Sequence, residues 1–174
     1  MSAINNSFNA VNCTILGIDP GYDRLGWAVA SRNQDKWEKV ELGCIITDRS
    51  KKMVERYQQI ESELQKLIDQ FKPTQTAIET LFFANNITTA MKVAEVRGII
   101  IASLLRNNLP VNQYNPMKIK ETVTGNGRAD KKAIKKMVQL EFKLQDTTVL
   151  DDALDALGIV LTHFILSKNA RFYA

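Results

Sequence analysis

Two carboxylates stand where apolar, strand-like segments end. Asp19 follows the apolar residues 15–18 and precedes Pro20-Gly21, and Glu79 closes a short run that begins at Thr76. An ionised carboxylate beside a hydrophobic strand costs free energy unless another group compensates its charge, and a metal cation is an effective partner. On the first stretch alone, a turn aspartate that accepts hydrogen bonds from its own backbone is the better explanation of Asp19.

A second pair of acids opens the last predicted helix. Asp152 and Asp155 are three residues apart, which places them about 60° apart around a helix axis and about 4.5 Å apart along it. They share one face, whereas Asp151 lies about 100° from Asp152 and suits the helix N-terminus. Compensation of the helix dipole would explain acids in a first turn, but Asp155 lies one turn further in, where a second acid helps little.

Taken together, the four acids suggest a metal site for phosphodiester chemistry. Carboxylates that converge repel one another strongly unless divalent cations neutralise them. Ligation by oxygen alone favours Mg²⁺ or Mn²⁺ over zinc, and no cluster of cysteine and histidine competes. Two such ions about 3.5–4 Å apart can activate a water and stabilise the leaving oxygen of an in-line displacement. We therefore expect two Mg²⁺ ions, replaceable by Mn²⁺, at the predicted catalytic acids Asp19, Glu79, Asp152 and Asp155.

The positive charge of the chain is concentrated in one stretch. The whole chain has 23 Lys+Arg and 19 Asp+Glu, a net charge of +4. Between Met117 and Lys143, eight basic residues stand against three acidic ones, which gives +5 for this stretch alone. Such a patch indicates a polyanion partner such as a nucleic-acid backbone, although a solvated basic helix face is a common alternative.

The elements that must position these residues form one α/β domain. Three strand-like segments follow one another, the third at residues 37–47, and this order predicts an antiparallel meander. Residues 76–79 and 110–114 predict two more strands, so we expect a five-stranded mixed sheet, three antiparallel strands and then two parallel ones, with helices on both faces. Apolar periodicity and caps predict helices at residues 53–71 and 87–107, from Pro116, after Asp130, and at about 150–167.

Composition and local patterns argue against several classes of protein. An apolar content of 45% and a charged content of 24% argue against global disorder. The longest apolar run, residues 98–105, is too short to span a bilayer, and residues 1–12 lack the features of a signal peptide. Cys13 and Cys44 form no ligand motif, which indicates a reduced, cytoplasmic protein in which each is a small packing residue. We expect a disordered lead-in or cloning remnant at 1–13, the domain at 14–168 and a C-terminal tail at 169–174.

Five stretches of the sequence resemble the RuvC-type Holliday-junction resolvases, bacterial endonucleases with the RNase H-like fold. In the family's order they are Gly-Ile-Asp-Pro-Gly at 17–21, Glu-Thr-Leu-Phe-Phe at 79–83, Arg-Gly at 97–98, Val-Thr-Gly-Asn-Gly-Arg-Ala-Asp-Lys at 123–131 and Asp-Ala-Leu-Asp-Ala-Leu at 152–157. The similarity spans residues 14 to about 167. It implies symmetric nicking of two opposed strands of a four-way DNA junction during recombination and repair, leaving 5′-phosphate and 3′-hydroxyl ends that can be religated.

The resemblance also implies roles for individual residues. The four acids fall on the metal-binding acids of the family. Phe82 falls on an aromatic residue that stacks on a base near the junction centre, a contact that tolerates any sequence. Lys120 and Lys131 fall on basic positions that meet phosphate near the site, and Arg128 is a further phosphate candidate.

Partners are implied in the same way. The helix at 87–107 corresponds to the family's dimer-forming helix, and its C-terminal half is apolar nearly all the way round. The resemblance therefore implies a homodimer. It further implies cooperation with the branch-migration proteins RuvA and RuvB, and a place in the bacterial cytoplasm with the nucleoid.

Other hypotheses stay open from the sequence. A YqgF-like nuclease also has Asp-Pro-Gly before Arg-x-Gly and would act on RNA, but it lacks the Glu-Thr-Leu-Phe-Phe and Val-Thr-Gly segments. Actin-like ATPases and sugar kinases share a faintly similar first hairpin, yet they need a second domain that 174 residues cannot supply. A non-catalytic junction-binding protein would need only the basic stretch, and four costly acids argue against it. His163, the only histidine, is interpreted as a packing residue of the last helix.

Overall fold

The computed structural model describes residues 12–33, 36–81, 87–144 and 149–170. The strands are β1 (Asn12–Asp19), β2 (Arg24–Asn33), β3 (Lys36–Ile46), β4 (Gln75–Glu79) and β5 (Val111–Tyr114). The helices are α1 (Met53–Phe71), α2 (Ile87–Arg106), α3 (Pro116–Thr124), α4 (Lys131–Glu141) and α5 (Asp151–Ala170). Every predicted strand and helix is present. The ends differ by a few residues, because fraying ends carry weak sequence signals: β1 begins within the expected lead-in, and α5 continues into the expected tail.

The five strands form one mixed sheet in the order β3-β2-β1-β4-β5. The first three strands pair in antiparallel fashion, whereas β4 pairs parallel to β1 and β5 pairs parallel to β4. The predicted sheet is therefore confirmed. The parallel pairing of β1 with β4 requires a crossover, and α1 supplies it on one face of the sheet.

The hydrophobic core has two layers, one on each face of the sheet. On one face Leu16, Ile18 and Ile78 pack against residues of α1 and α2. On the other face Ile15 and Ala77 pack against residues of α3, α4 and α5. Side chains of a strand alternate between faces, so residues 15, 17 and 19 of β1 point to the same side as α5. The helices on both faces match the prediction.

Small residues let α5 lie unusually close to the sheet. A Cβ atom added at Gly17 would stand 2.5 Å from the carbonyl oxygen of Ala156, and one added at Gly26 would stand 2.0 Å from that of Asp152. Neither strand could carry a side chain at these positions without moving the helix backbone. The buried Ala28 continues this small-residue surface. As a result, the first turns of α5 lie directly over the C-terminal end of β1 and the start of β2.

Two capped helices carry the basic stretch. The side chain of Asn115 accepts a hydrogen bond from the backbone N–H of Lys118 (2.7 Å), and Asp130 caps α4 by accepting from Ala133 (2.7 Å). Between the helices, Gly125 adopts φ = 77° at the end of α3, a conformation that glycine reaches without steric cost. The caps fix where each helix begins, and so fix the direction of the lysine side chains on α3 and α4.

Two further features concern the class of the protein, namely its cysteines and the hydropathy of its helices. Cys13 and Cys44 are each half-buried, and neither is part of a disulfide within the described ranges. Across the described ranges, no helix has both the length and the hydropathy needed to cross a bilayer.

Candidate metal centre

Strand register brings the first two acids together. Ile18 of β1 pairs with Ile78 of β4, and the strands are parallel. Asp19 and Glu79 are the next residues of the two strands, so they leave the sheet side by side at the same edge. By the alternation of the strands, both side chains point to the face that α5 covers.

The start of α5 adds the second pair of acids. Because Gly26 allows the backbone of Asp152 to contact β2, the first turn of the helix stands beside the end of β1. One carboxylate oxygen from each of Asp19, Asp152 and Asp155 lies within 4.8 Å of the other two. Glu79 joins the group through a hydrogen bond between its carboxyl and that of Asp19. Three of the four predicted acids therefore converge, and the fourth, Glu79, lies beside Asp19.

Burial and mutual repulsion shape the protonation of the two strand acids. Burial, and then the charges of Glu79, Asp155 and Asp152, raise the pKa of Asp19 to about 8. Burial also raises the pKa of Glu79, although the hydrogen bond with Asp19 lowers it in part. A carboxyl–carboxyl hydrogen bond needs a proton, so at neutral pH Asp19 donates and Glu79 accepts. One proton thus offsets part of the charge of the metal-free cluster.

Basic side chains offset the charge of the two helix acids. The Nζ atom of Lys131 lies 2.6 Å from Oδ2 of Asp155, and Nε of Arg24 lies 2.8 Å from Oδ2 of Asp152. Burial raises the pKa of Asp155 while Lys131 opposes that rise. In turn, Asp155 raises the pKa of Lys131 against the effect of its own burial.

Asp151 faces away from this cluster. It is exposed and forms an ion pair with Lys135, which lowers its pKa through a hydrogen bond. The sequence favoured Asp152 over Asp151 as the acid of the site, because Asp152 shares a helix face with Asp155. The geometry places Asp152, and not Asp151, among the gathered oxygens.

The gathered oxygens fit a hard divalent cation. The donor set consists of carboxylates, which suits Mg²⁺ or Mn²⁺. Their spacing of up to 4.8 Å is close to the roughly 4 Å between opposite ligands of an ion with bonds near 2.1 Å. Oδ2 of Asp152 is buried and has no aligned hydrogen-bond donor among the described residues, since Arg24 approaches without hydrogen-bond geometry. Such an atom is suited to accept a cation.

Two cavities flank Glu79. One, of about 230 Å³, is lined by Lys120 and Lys131 together with Asp155, and brings positive charge next to the acids. The other, of about 280 Å³, extends from Asp19 along α2 to Arg97. Glu79 therefore stands in the wall between the two cavities, of which the one lined by Lys120 and Lys131 is called the basic cleft and the other is largely apolar.

The remaining predicted nucleic-acid contacts are less closely tied to the acids. Phe82 lies outside the described residues. Arg128 is exposed in the loop between α3 and α4, where its backbone N–H donates to the side chain of Asn126. Sequence reasoning assigned no role at the site to Arg24 or to Arg97. The guanidinium of Arg97 donates to Gln113. Only the tertiary contact at Gly26 shows that Arg24 reaches Asp152, and no local pattern signals it.

Comparison with known proteins identifies the family. A family model described as crossover junction endodeoxyribonuclease RuvC matches residues 15–163. The RuvC protein of Petrotoga mobilis is 40% identical over 149 residues, which cover 86% of this chain and 91% of that protein. The RuvC protein of Brachyspira hyodysenteriae is 41% identical over 157 residues, covering 90% and 96%.

Solved structures agree in fold. Thermus thermophilus RuvC in complex with a Holliday junction substrate superimposes with a TM-score of 0.84 at 27% identity, covering 91% of this chain and 96% of that one. The yeast mitochondrial Holliday junction resolvase Ydc2 superimposes with a TM-score of 0.61 at 14% identity, a likeness of fold alone. The predicted RNase H-like architecture is thereby confirmed. With a family model and relatives that span most of its length, the chain belongs to the RuvC family of crossover junction endodeoxyribonucleases.

Proposed function

We propose that this chain resolves four-way DNA junctions by metal-dependent hydrolysis of one phosphodiester bond in each of two opposed strands. The convergence of oxygens from Asp19, Asp152 and Asp155 is the observation that carries this proposal. Membership of the RuvC family supplies the reaction class, and the junction complex of the Thermus protein supports the substrate. The alternatives fit less well, because a protein that only bound junctions would gain nothing from buried, mutually repelling acids.

The four acids are the proposed ligands of two Mg²⁺ ions, for which Mn²⁺ would substitute. When bound, such ions supply an activated water and stabilise the leaving oxygen. The chain itself holds the ligands in place: Glu79 and Asp19 on adjacent strand ends, Asp152 and Asp155 on one helix face. Asp19 must release the proton that it shares with Glu79 before both carboxylates can act as ligands.

The basic cleft is the proposed path of the DNA backbone. Lys120 and Lys131 line the cavity next to Glu79, which places two cations beside the acids that act on phosphate. Arg128, exposed between α3 and α4, extends the same basic surface. Phe82 stays a predicted base-stacking residue. Phosphate contacts of this kind supply affinity without sequence preference.

The outer face of α2 is the proposed dimer interface. Val96, Ile100 and Leu104 of this helix are fully buried against the sheet. The opposite face exposes apolar and small residues at intervals of three and four: Met91, Ala94, Gly98, Ala102 and Leu105. Met91 and Leu105 are 62% and 59% exposed, and together with the small residues between them they form a continuous apolar stripe, which marks an interaction surface more strongly than a single exposed apolar residue does. Small residues between them would let a second copy of α2 approach closely.

An oligomerisation measurement tests this interface. We expect the wild-type protein to sediment as a dimer and Ala102→Arg to sediment as a folded monomer, because a charge at the centre of a small-residue contact cannot be accommodated. Val54→Arg is the control, since Val54 is an exposed apolar residue (66%) on α1. A dimer that survives Ala102→Arg would exclude this face.

Cooperation with RuvA and RuvB, and a location with the nucleoid in the cytoplasm, belong to the same proposal.

A cleavage assay tests the activity. A synthetic four-way DNA junction, a linear duplex and an RNA–DNA hybrid of the same sequence are each incubated with and without Mg²⁺. We expect paired nicks in the junction only, and only with the ion. Preferential cleavage of the hybrid would favour the YqgF-like alternative instead.

Two substitutions separate catalysis from binding. Asp19→Asn and Glu79→Gln should lower cleavage by about 10²–10³-fold or more, the range seen when one preorganised electrostatic group is lost. Junction binding in EDTA should persist, because it depends on the basic cleft. Asp151→Asn is the control and should cut at the wild-type rate, since Asp151 faces Lys135. Normal cleavage by either of the first two variants would contradict the site assignment.

A further inference from the structure

Arg24 is the first residue of β2 and reaches across to the start of α5. Its Nε atom lies 2.8 Å from Oδ2 of Asp152, and the two side chains are 49% and 20% exposed. The contact between Gly26 and the backbone of Asp152 fixes the two elements relative to each other. The fold therefore brings a half-exposed cation within reach of a sheltered carboxylate.

Arg24 contacts the same carboxylate oxygen that a metal ion at this site would bind. Oδ2 of Asp152 is buried, so a cation bound there would lie next to the guanidinium group. Two cations in contact repel each other, and the repulsion is strong where water is scarce. The arginine is the mobile partner, because its long side chain is half exposed whereas Asp152 is held by the helix.

A nearby arginine provides a comparison. Arg49 lies 3.0 Å from Asp23 and is 77% exposed, and Asp23 is not one of the gathered acids. Arg49 therefore shares with Arg24 the residue type, the exposed position and an acidic partner. It differs in its partner, because an ion bound at the gathered acids does not contact Asp23 and should leave the Arg49–Asp23 pair in place.

We propose that Arg24 neutralises Asp152 while no ion is bound and moves onto a DNA phosphate when an ion takes its place. This inference rests on the proposed function, because it assumes an ion and a DNA strand at the same site. Under this proposal, Arg24 binds DNA only when an ion is bound at Asp152. The exchange couples the two binding events: the ion frees a cation for the DNA, and the DNA gives that cation a new partner. By linkage, each ligand must then tighten the binding of the other by the same factor.

The first experiment measures ion binding without DNA. Free Mn²⁺ is followed by electron paramagnetic resonance during titration of wild type, Arg24→Met, Arg24→Lys and Arg49→Met. Arg24→Met should bind Mn²⁺ about two- to fivefold more tightly, since a partly exposed ion pair no longer competes. Arg24→Lys keeps the competing charge and should stay near wild type, as should Arg49→Met.

The second experiment measures junction binding by fluorescence anisotropy over a range of salt concentrations, in EDTA and in Ca²⁺, with strand integrity checked on denaturing gels. In Ca²⁺, Arg24→Met should reduce the slope of log K against log salt by roughly 0.9, the value for one lost phosphate contact. In EDTA the slope should be unchanged, because wild-type Arg24 is then engaged with Asp152.

The outcomes separate this inference from the proposed function. If wild type binds neither Mn²⁺ nor the junction, the proposed function fails. If wild type binds both, and Arg24→Met leaves Mn²⁺ affinity unchanged or weaker, Arg24 does not compete with the ion. A slope reduced equally in EDTA and Ca²⁺ would show a permanent phosphate contact, and an unreduced slope in Ca²⁺ would show no contact. Each of these last three results overturns the inference.

Discussion

The replacement of Asp19 by asparagine should stabilise the metal-free protein while it abolishes the proposed catalysis. Burial and the surrounding carboxylates raise the pKa of Asp19 from 3.8 to about 8. At pH 7 the folded protein must therefore keep a proton that the unfolded chain has released. Asparagine is neutral at every pH and can still donate to Glu79, so it removes this cost.

The magnitude follows from the pKa difference. Each pKa unit corresponds to about 1.4 kcal/mol, and pH 7 lies about three units above 3.8, so the ceiling is about 4 kcal/mol at pH 7. Because the folded pKa lies above the unfolded one, the cost is absent below pH 4 and grows as the pH rises toward 8. The stability of Asp19→Asn relative to wild type should therefore increase with pH across this window.

Urea denaturation in EDTA at several pH values between 4 and 8 measures this difference. Titrating groups remote from Asp19, among them His163, are common to both proteins and cancel in the comparison, whereas Glu79 is coupled to Asp19 and belongs to the measured effect. Asp151→Asn is the matched control: it is exposed, Lys135 lowers its pKa, and its loss should slightly destabilise at neutral pH without growth above pH 5. A stability difference for Asp19→Asn that is independent of pH, or of the opposite sign, would refute the reasoning.

Three further predictions concern the supports of the site. Gly26→Ala would place a methyl group 2.0 Å from the carbonyl oxygen of Asp152. It should displace α5, lower the free energy of unfolding by about 1–3 kcal/mol and weaken Mn²⁺ binding. In the control Gly158→Ala the added methyl group lies 3.6 Å from Val138, so stability and Mn²⁺ affinity should both stay near wild type. Both ring nitrogens of His163 are hydrogen-bonded, to Tyr114 and to Gln75. His163→Phe leaves these two partners unpaired and should lower the free energy of unfolding, measured in urea, by about 1–3 kcal/mol for each. The control Val160→Ala creates a cavity on the same helix, and it should lower stability but keep the wild-type loss of stability in acid. In Ca²⁺, Lys131→Ala should lower the salt slope of junction binding by roughly 0.9, and an unchanged slope would exclude the phosphate contact.

The buried His163 should make the free energy of unfolding fall at acidic pH. Burial lowers the pKa of His163 to about 4 from an ordinary value of 6.5. The Tyr114 hydroxyl donates to Nδ1 when Nε2–H donates to Gln75, and this arrangement requires the neutral ring. Since the unfolded chain takes up the proton first, stability falls as the pH drops from 6.5 toward 4. His163→Phe should lose that decline, and its persistence would contradict the assignment.

Much of the site could be predicted from the sequence because its acids end recognisable elements. An apolar run that stops at Asp19 and another that stops at Glu79 already indicate strand ends, and an i, i+3 pair indicates one helix face. The sequence favoured Asp152 over Asp151 as the acid that turns inward, but a shift of the helix start by one residue would have reversed that choice. The structure orients Asp151 toward Lys135 and Asp152 toward the cluster.

The compensating charges could not be predicted, because they depend on contacts between elements that are distant in the chain. Arg24 and Asp152 meet only because two strands lack side chains under α5, at Gly17 and Gly26. A glycine in a strand usually indicates a less stable strand or a bulge. That these glycines allow a helix backbone to contact the sheet is visible only in the structure. For the same reason the hydrogen bonds of His163 were not foreseen beyond its packing role.

The metal-free site is stable because three different partners offset its four acids. A proton bridges Asp19 and Glu79, Lys131 pairs with Asp155, and Arg24 approaches Asp152. An ion that binds the same oxygens must displace or repel each partner. The measured ion affinity therefore includes the free energy needed to displace the proton, Lys131 and Arg24. The two displaced side chains carry the charge that DNA phosphate attracts. A protein built in this way gains affinity for its substrate at the moment it becomes able to cut, and variants that remove Arg24 should separate these two properties.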